Sequence, residues 1–304
     1  MFDIKYMKLN FRIKFEKCGK LPKYKMSALR GGMGQVLMKK FCLEDKPNCN
    51  NCLLNERCAV NGILSPKIET NLPFMKNVQT SHSGLVIECI DFREEFFQED
   101  ILEFSVLLFN NIFNYGGHII YAFDALGKTG LGKNRLKFSL LEVLNEENKP
   151  IFKDGVLFKE NIKTSTVLDY IQKRKRELSS IDGIEFILPL RFVKQGKLTD
   201  EINSKDLIIA MQRRIAILNA VSGKTVDIDV DNVDNFIEST DLYWTENKRY
   251  SNRQKTKMSL GGVLGTIKFN ENVELIKDLL IAGELVHIGK NTTFGLGKYE
   301  IKEG

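Results

Sequence analysis

Two parts of the chain show the same order of apolar and polar patterns. Alternation with a period of two predicts strands, and apolar residues three or four positions apart predict helices. In the first part this predicts a strand at 4–15, a helix at 26–41, strands at 84–92 and 101–109, and a helix at 111–126. In the second part it predicts a strand at 183–193, a helix at 204–220, a strand at 260–269 and a helix at 272–285. Each part then closes with a glycine-rich segment and a further strand.

The glycine-rich segment occurs twice. From Gly127 the sequence reads G-K-T-G-L-G-K, and from Gly289 it reads G-K-N-T-T-F-G-L-G-K. A single copy would be explained by a helix C-cap and a turn, because glycine adopts positive φ without steric cost. Two copies that share glycine and lysine positions instead indicate a duplicated domain whose loop exposes backbone N–H groups and lysines to an anion. Neither copy is a nucleotide P-loop, because Ala122 and Glu284 stand where that motif requires glycine.

Each part approximates the order β-α-β-β-α-β, which is the split unit of a ferredoxin-like fold. The chain is therefore predicted to be an α+β protein with two tandem ferredoxin-like (RRM-like) domains, each ending in helix, glycine-rich loop and strand. The predicted domains are residues 1–147, with a cysteine-rich insertion at about 42–58, and residues 182–304, joined by a linker at 148–181.

Composition and charge narrow the class of protein only slightly. The 304 residues are 43% hydrophobic and 28% charged, which is typical of a globular protein with a sizeable core. We expect a cytoplasmic protein, because no stretch has the apolar length of a secretory signal or a membrane span. A net charge of +6 permits a polyanionic partner without requiring one.

Positive charge is concentrated between residues 245 and 257. Five basic residues lie there with one acidic residue: Lys248, Arg249, Arg253, Lys255 and Lys257, with Glu246. Arginine can hold phosphate oxygens with two hydrogen bonds, and tyrosine can stack on a base. The candidate nucleic-acid contacts of this segment are Arg249, Tyr250, Ser251 and Arg253. A hairpin edge with solvated arginines is the alternative interpretation.

Four of the six cysteines lie in one short segment: Cys42, Cys49, Cys52 and Cys58. In a cytosolic protein such clustering indicates a metal site rather than disulfides. The spacing C-x6-C-x2-C-x5-C resembles the iron–sulfur loop of the endonuclease III and MutY family of DNA glycosylases. We therefore favour a [4Fe–4S] cluster, with a structural zinc ion as the alternative. An iron–sulfur DNA-repair enzyme is a further hypothesis, which the duplicated loops argue against. Cys18 and Cys89 are predicted to be buried as small apolar residues.

Four strings of sequence together point to one family. They are L-R-G-G-M-G at 29–34, the segment 126–138, the segment 244–262 with R-Y-S-N-R-Q and M-S-L-G-G, and the segment 283–299. These strings resemble the CRISPR-associated repeat-processing endoribonucleases of the RAMP superfamily, in the branch with a cysteine-rich insertion after the first helix. The resemblance covers the chain from about Leu29 to Ile301.

The resemblance implies a sequence-specific endoribonuclease that cleaves precursor CRISPR RNA within its repeats and needs no metal ion for catalysis. The 2′-OH beside the scissile phosphate would attack it, leaving a 2′,3′-cyclic phosphate and a 5′-OH, so DNA would not be a substrate. The implied partners are CRISPR repeat RNA and a CRISPR interference complex that takes up the product; no membrane partner is expected. A non-catalytic RAMP subunit that holds guide RNA in an effector complex is the alternative.

His287, at the entry to the second glycine-rich segment, is our first choice for acid–base chemistry, with Tyr250 and Arg253 as further catalytic residues. The alternative interpretation of His287 is a histidine that ends the preceding helix and bonds to backbone. His118 is a weaker candidate for a direct role, and His82 is expected to be solvated.

The remaining predictions concern contacts to the RNA backbone. In the family that the sequence resembles, the acid–base residue is often a histidine of the first helix. Residues 26–41 contain none, which leaves Arg30, Lys39 and Lys40 as an electrostatic alternative. The residues predicted to bind RNA are Arg30, Gly127, Lys128, Gly130, Gly132, Lys133, Arg249, Ser251, Gly289, Lys290, Gly295, Gly297 and Lys298.

Overall fold

The computed structural model describes residues 1–44, 49, 51–66, 72, 84–194, 196–224, 226, 234–246, 248–251 and 256–304, and for 248–251 and 256–258 it describes the backbone alone. The chain folds into two compact units. The N-terminal unit is Tyr6–Thr164, and the C-terminal unit combines Met1–Lys5 with Ser165–Gly304. Among the described helices, none is long and apolar enough to cross a membrane.

In the N-terminal unit, most strands of the main sheet lie before residue 145. Its described strands are β1 (Lys5–Phe15), β2 (Gly19–Lys20), β3 (Leu85–Glu88), β4 (Glu95–Phe96), β5 (Ile101–Phe109), β6 (Phe138–Leu144), β7 (Pro150–Lys153) and β8 (Val156–Leu157). Its described helices are α1 (Met26–Phe41), α2 (Ala59–Leu64) and α3 (Gly116–Thr129), with a 3-10 turn at Asn110–Tyr115 before α3.

The C-terminal unit repeats the alternation of strands and helices. Its described strands are β9 (Ser165–Thr166), β10 (Gly183–Leu190), β11 (Val193–Lys194), β12 (Lys197–Leu198), β13 (Ile237–Thr245), β14 (Lys248–Ser251), β15 (Thr256–Ser259), β16 (Gly262–Phe269) and β17 (Tyr299–Lys302). Its described helices are α4 (Val167–Glu177), α5 (Ser204–Ala220) and α6 (Lys277–Val286), with 3-10 turns at Glu271–Ile276 and Thr292–Phe294.

The two main sheets have the same topology. The N-terminal sheet has the order β3-β5-β1-β6-β7-β8, and the C-terminal sheet has the order β13-β16-β10-β17. In both, the second, third, first and fourth strands of the repeat lie side by side, and the pairs are antiparallel. This is the arrangement that the β-α-β-β-α-β pattern predicts for a ferredoxin-like fold.

The alternation of apolar and polar residues along β1 determines which face of the N-terminal sheet is buried. Phe11, Ile13 and Phe15 are 0% exposed. The Phe11 ring lies 4.9 Å from that of Phe104 and 4.8 Å from that of Phe123 in α3, measured between centroids. Burial of each such side chain stabilises the fold by about 1.5–3 kcal/mol. The packing of these side chains therefore holds α3 against the sheet.

The opposite face of the same sheet is lined by ion pairs. The pairs join Lys8 to Glu88 at 3.4 Å, Arg12 to Glu103 at 2.9 Å and to Glu142 at 2.6 Å, and Lys14 to Glu99 at 2.7 Å. The hydrogen bond from Arg12 lowers the pKa of Glu142. Because carboxylates match these basic groups, the face is a poor surface for phosphate.

A buried carboxylate joins α4, α6 and β17 in the C-terminal unit. Glu284 is 4% exposed. It accepts hydrogen bonds from the Tyr170 hydroxyl at 2.7 Å, from Arg174 Nε at 3.0 Å and from the backbone N–H of Ile301 at 3.1 Å. Removing one partner of such a buried pair would leave an uncompensated charge. The network therefore fixes α4 against α6.

Residues 148–181, which were predicted as a linker, are structured and divided between the units. Strand β7 pairs with β6, and Phe152 lies opposite Val143. Helix α4 begins with a capping box in which Thr166 and Asp169 exchange hydrogen bonds. The division between the units lies between Thr164 and Ser165.

The first residues of the chain are hydrogen-bonded within the C-terminal unit. The Val167 N–H donates to the Ile4 carbonyl at 2.9 Å, and Asn219 Nδ2 donates to the Met1 carbonyl at 2.9 Å. Lys224 Nζ also lies 2.7 Å from the Asp3 carboxylate. These contacts explain why residues 1–5 belong to a unit that otherwise begins at Ser165.

Candidate nucleic-acid interface

The first glycine-rich segment begins inside a helix rather than in a loop. Gly127 lies in the last turn of α3, where a Cβ would overlap the carbonyl oxygen of Phe138. Gly130 and Gly132 have φ of 86° and 74°. Two backbone hydrogen bonds of 2.9 Å between Leu131 and Leu136 then close a small hairpin. The glycines therefore serve close packing and the turn.

This small hairpin carries exposed basic side chains. Lys133, Arg135 and Lys137 are exposed, and none of them forms an ion pair with another described residue. Lys128 is also exposed, but its Nζ lies 3.8 Å from the Asp124 carboxylate. Positive charge without a carboxylate partner attracts anions. The segment therefore suits the predicted phosphate contact at Lys133.

The second glycine-rich segment folds into the core of the C-terminal unit. Gly295 and Gly297 are buried, with φ of 72° and 75°. Three N–H groups bond within the protein: Ile288 to the Gly297 carbonyl at 3.1 Å, Gly297 to that of Pro189 at 3.0 Å and Lys290 to that of Arg191 at 2.9 Å. These N–H groups do not face an anion, which corrects the prediction made for this loop. The buried glycines give the backbone its path instead.

The two lysines of the second segment have different environments. Lys290 is exposed, whereas Lys298 is half-buried and its Nζ donates to the Glu284 carbonyl at 3.3 Å. The Lys298 side chain therefore caps the C-terminal end of α6 with a positive charge. Lys290 is the lysine of this segment that can reach a phosphate.

His287 is fully buried at the end of α6. Its ring is 0% exposed, its φ is 60°, and its Nδ1 lies 2.9 Å from the Gly295 carbonyl oxygen. The ring thus joins the end of the helix to the far side of the loop. It reaches no surface at which it could touch RNA, so the structure corrects the prediction of direct acid–base chemistry. The arrangement is that of the alternative, a histidine at a helix end bonded to backbone.

The basic segment forms a hairpin of β14 and β15. Arg249 lies opposite Met258, Tyr250 opposite Lys257 and Ser251 opposite Thr256 in the backbone ladder. Arg253 lies outside the described residues, as does His82. The predicted contacts at Arg249, Tyr250 and Ser251 therefore lie on one short strand, and their contacts to RNA stay predictions.

Arg30 has a structural partner in the N-terminal unit. Its Nη2 donates to the carbonyl of Leu64 at 2.9 Å, at the end of α2. The guanidinium therefore satisfies a helix C-terminus that lacks its own hydrogen bond. This bond occupies part of the group that was predicted to bind phosphate.

An accessible histidine lies beside aromatic rings where α1 and α3 meet. The His118 ring centroid is 5.1 Å from that of Phe41 and 5.8 Å from that of Tyr115. His118 is half-buried, and Tyr121, one turn further along α3, is 40% exposed. No described residue forms a hydrogen bond with the His118 ring nitrogens. Within the part of the chain that the structure describes, the ring nitrogens are therefore available to a ligand.

The four clustered cysteines lie in the segment that joins α1 to α2. Cys42 follows α1, Cys58 precedes α2, and Cys49 and Cys52 lie between them; all four are half-buried thiols. Thiolates suit either iron–sulfur or zinc. However, no three His, Cys, Asp or Glu residues among those described are placed to hold a metal ion. The metal site therefore stays a prediction. Cys89 is buried as predicted and burial raises its pKa to about 11, whereas Cys18 is exposed, contrary to the prediction.

Two family models match the chain. Residues 4–166 match AF_1859_N, which is described as an N-terminal domain. Residues 184–299 match the CRISPR-associated endoribonuclease Cas6. Residues 184–299 of the chain therefore belong to the Cas6 family. The Cas6 match includes both strands of the basic hairpin and the second glycine-rich segment, so these features lie in the part that the family shares.

Three further similar proteins cover nearly the whole of this chain. An uncharacterized protein of Archaeoglobus fulgidus is 23% identical over 314 residues, which cover 99% of this chain and 99% of the relative. A Cas6 (TTHB231) product complex has a TM-score of 0.56 at 11% identity, over 98% of this chain and 99% of that chain. A partial Cas6-RT-Cas1–Cas2 complex has a TM-score of 0.59 at 14% identity, over 99% of this chain. This chain spans only 46% of that longer chain.

The likeness to these solved structures shows the fold, and it confirms the prediction of two tandem ferredoxin-like domains. The Cas6 match over residues 184–299 supports CRISPR-associated RNA binding and RNA cleavage as the general function. Sequence reasoning did not predict two arginines of interest, Arg135 in the small hairpin and Arg191 after β10. Arg135 lies next to the predicted Lys133, so its charge was a usable signal. Arg191 is a single arginine after an apolar strand and gives no such signal.

Proposed function

We propose that this Cas6 family protein is an endoribonuclease that cleaves precursor CRISPR RNA within its repeats. The observation that supports the proposal is the Cas6 match over 184–299, which contains the basic hairpin and the second glycine-rich segment. The 2′-oxygen would attack the adjacent phosphorus, and the bond from phosphorus to the 5′-oxygen would break. The products would carry a 2′,3′-cyclic phosphate and a 5′-OH, and DNA, which lacks the 2′-OH, would resist.

The reaction needs a base for the 2′-OH proton and an acid that gives a proton to the leaving 5′-oxygen. We assign this acid–base role to His118, because its ring is accessible and its nitrogens have no hydrogen bond from a described residue. Phe41 and Tyr121 would offer aromatic surface to a base, and stacking contributes about 1–3 kcal/mol per base. Lys39 and Lys40, both exposed in the last turn of α1, would attract the phosphates.

A cleavage assay with labelled repeat RNA in EDTA tests the proposal. We expect wild type to cut once within the repeat, and a copy with a single 2′-deoxy at the cut site to resist. We expect His118→Ala to bind RNA as wild type does but to cleave about 10²–10⁴-fold more slowly. Asn114→Ala, an exposed change one turn away, is the matched control and should cleave normally. Equal cleavage by His118→Ala and wild type would remove His118 from the chemistry.

The burial of His287 favours a second candidate function, a RAMP subunit that holds guide RNA in an effector complex without cutting it. Such a subunit needs the fold and the basic surfaces but no acid–base residue. The same assay separates the two functions. Wild type that binds repeat RNA tightly and never cuts it would support the second candidate.

We also propose that Cys42, Cys49, Cys52 and Cys58 hold a [4Fe–4S] cluster, with zinc as the alternative. Their spacing supports this proposal, and no step of RNA cleavage involves the metal. After anaerobic purification we expect a brown protein with broad visible absorbance, which Cys52→Ser loses and the control Cys18→Ser keeps. A colourless protein with one zinc ion per chain would favour zinc, and a colourless protein without metal would contradict both.

A further inference from the structure

Arg191 supports the start of the second glycine-rich segment through its backbone. Its carbonyl oxygen accepts the N–H of Lys290 at 2.9 Å. At Gly289, where φ is 80°, a Cβ would lie 2.7 Å from the same oxygen. The turn that presents Lys290 is therefore built directly against Arg191.

The side chain of Arg191 holds a different segment. Its Nη1 donates to the Gly261 carbonyl at 2.6 Å and to the Ser259 carbonyl at 3.3 Å. Ser259 ends β15, and Gly261 immediately precedes β16. The guanidinium therefore fixes the point at which the basic hairpin joins the sheet.

A short network holds the other strand of this hairpin base. Trp244 Nε1 donates to the Glu246 carboxylate at 2.8 Å, and Ser259 Oγ donates to its other oxygen at 3.2 Å. Burial lowers the pKa of Arg191, and the charge of Glu246 opposes that shift. Arginine nevertheless keeps its charge at all ordinary pH values. A permanent positive charge therefore lies between the hairpin and the loop.

Stability alone does not explain an arginine at this position. Its Nε is buried and has no hydrogen-bond partner among the described residues. An unpaired buried donor is unfavourable. An apolar side chain of similar length would avoid that penalty, although it could not hold the two carbonyl groups of the hairpin base.

Resting on the proposed function, we propose that Arg191 is a positioning residue that sets the basic hairpin relative to Lys290, so that both contact phosphates of the same RNA. Its loss would leave the backbone bond to Lys290 in place and release the hairpin base. The reacting RNA would then be bound in a less defined position, and misplacement by about 1 Å can slow a reaction about 10²-fold.

Hydrogen exchange of the whole chain tests this proposal in Arg191→Met, which keeps the length and removes the donors. Arg176→Met, which removes the same charge from an exposed position in α4, is the matched control. In Arg191→Met we expect amides of β14 and β15 to exchange about 10-fold faster, while the pairing of β10 with β16 stays protected. Arg191→Lys should restore part of the protection, because lysine can still donate to one carbonyl.

RNA binding and single-turnover cleavage complete the test. We expect Arg191→Met to slow cleavage of bound RNA about 10–100-fold and to change the Kd less than cleavage. Unchanged exchange in the hairpin, or equally faster exchange throughout the C-terminal unit with a lower Tm, would overturn the proposal. If wild type does not cleave, the proposed nuclease fails, but the hairpin exchange and the RNA affinity of the variants still decide the role of Arg191.

Discussion

The two glycine-rich segments share a sequence pattern and differ in what their residues do. In the first, a helix ends late and a small hairpin leaves Lys133 and Arg135 exposed. In the second, the backbone passes through the core, and the ring of His287 bonds to the Gly295 carbonyl. The same residue pattern therefore forms an exposed hairpin in one unit and a buried segment of the core in the other. The side chains and contacts around a repeated motif decide its role.

The largest expected effect is a difference in stability between glycine substitutions in the two glycine-rich segments. At Gly297, φ is 75° and a Cβ would overlap the Ile288 carbonyl group, whereas at Gly132, φ is 74° and a Cβ would meet only a Leu21 methyl at 3.0 Å. We expect Gly297→Ala to lower the free energy of unfolding by about 3 kcal/mol or more, and Gly132→Ala by about 1–2 kcal/mol. Urea denaturation of both variants measures the difference. Equal losses in the free energy of unfolding would show that the second segment is no more tightly packed than the first.

The two described histidines provide the next contrast. His287→Ala removes a buried ring and leaves a carbonyl without its donor, so we expect a loss of about 2–3 kcal/mol in the free energy of unfolding. His118→Ala changes a half-buried ring, and we expect a loss of about 1 kcal/mol or less. Thermal and urea denaturation check both values. A His287→Ala variant as stable as wild type would contradict a supporting role for the ring.

The salt dependence of RNA binding can show which segment touches the backbone. Lys133 and Lys290 are exposed, one in each segment, and Lys298 bonds to the Glu284 carbonyl. If both exposed lysines contact phosphate, Lys133→Ala and Lys290→Ala should each reduce the slope of log K against log salt by about one unit. Lys298→Ala is the control and should leave the slope unchanged. A slope altered by only one of the two exposed lysines would restrict the RNA surface to that unit.

The smallest expected effect is on the pH dependence of stability. It concerns β6, the strand that follows the first glycine-rich segment. The Arg12 hydrogen bond lowers the folded-state pKa of Glu142 below its usual value of 4.5. The stability that this pair contributes is therefore present above about pH 4.5 and lost as the pH falls through the lowered pKa. We expect Glu142→Gln to be less stable than wild type by about 1 kcal/mol or less at pH 7, and by less still near pH 3. Urea midpoints at the two pH values test this. A difference that grows in acid would contradict the sign.

Local patterns were sufficient for several elements of the fold. The predicted helices at 26–41 and 204–220 have the bounds of α1 and α5, because their apolar spacing and their ends are local properties. Strand β13 was missed, because most of its residues are exposed along an edge and it lacks a clear apolar alternation. The helix predicted at 111–126 instead begins at Gly116 and continues to Thr129, which moves Gly127 and Lys128 out of the predicted loop.

The site was harder to predict than the fold, since it depends on contacts between distant residues. The burial of His287 follows from hydrogen bonds that its loop makes with Pro189 and Arg191, about 100 positions earlier. Neither the loop sequence nor its charge contains that information. The cysteine spacing gave a metal hypothesis from local sequence alone, but coordination requires four thiols in one place, which spacing cannot guarantee.

The contacts of Met1, Asp3 and Ile4 with residues of the C-terminal unit have a consequence for the order of synthesis. Residues 1–5 are synthesised well before Val167 and Asn219, which bond to them. Their bonds to Val167 and Asn219 can therefore form only after the whole of Tyr6–Thr164 has been translated. A purification tag placed before Met1 would be attached to the C-terminal unit, and expression of 165–304 alone would leave the Val167 N–H without its native acceptor.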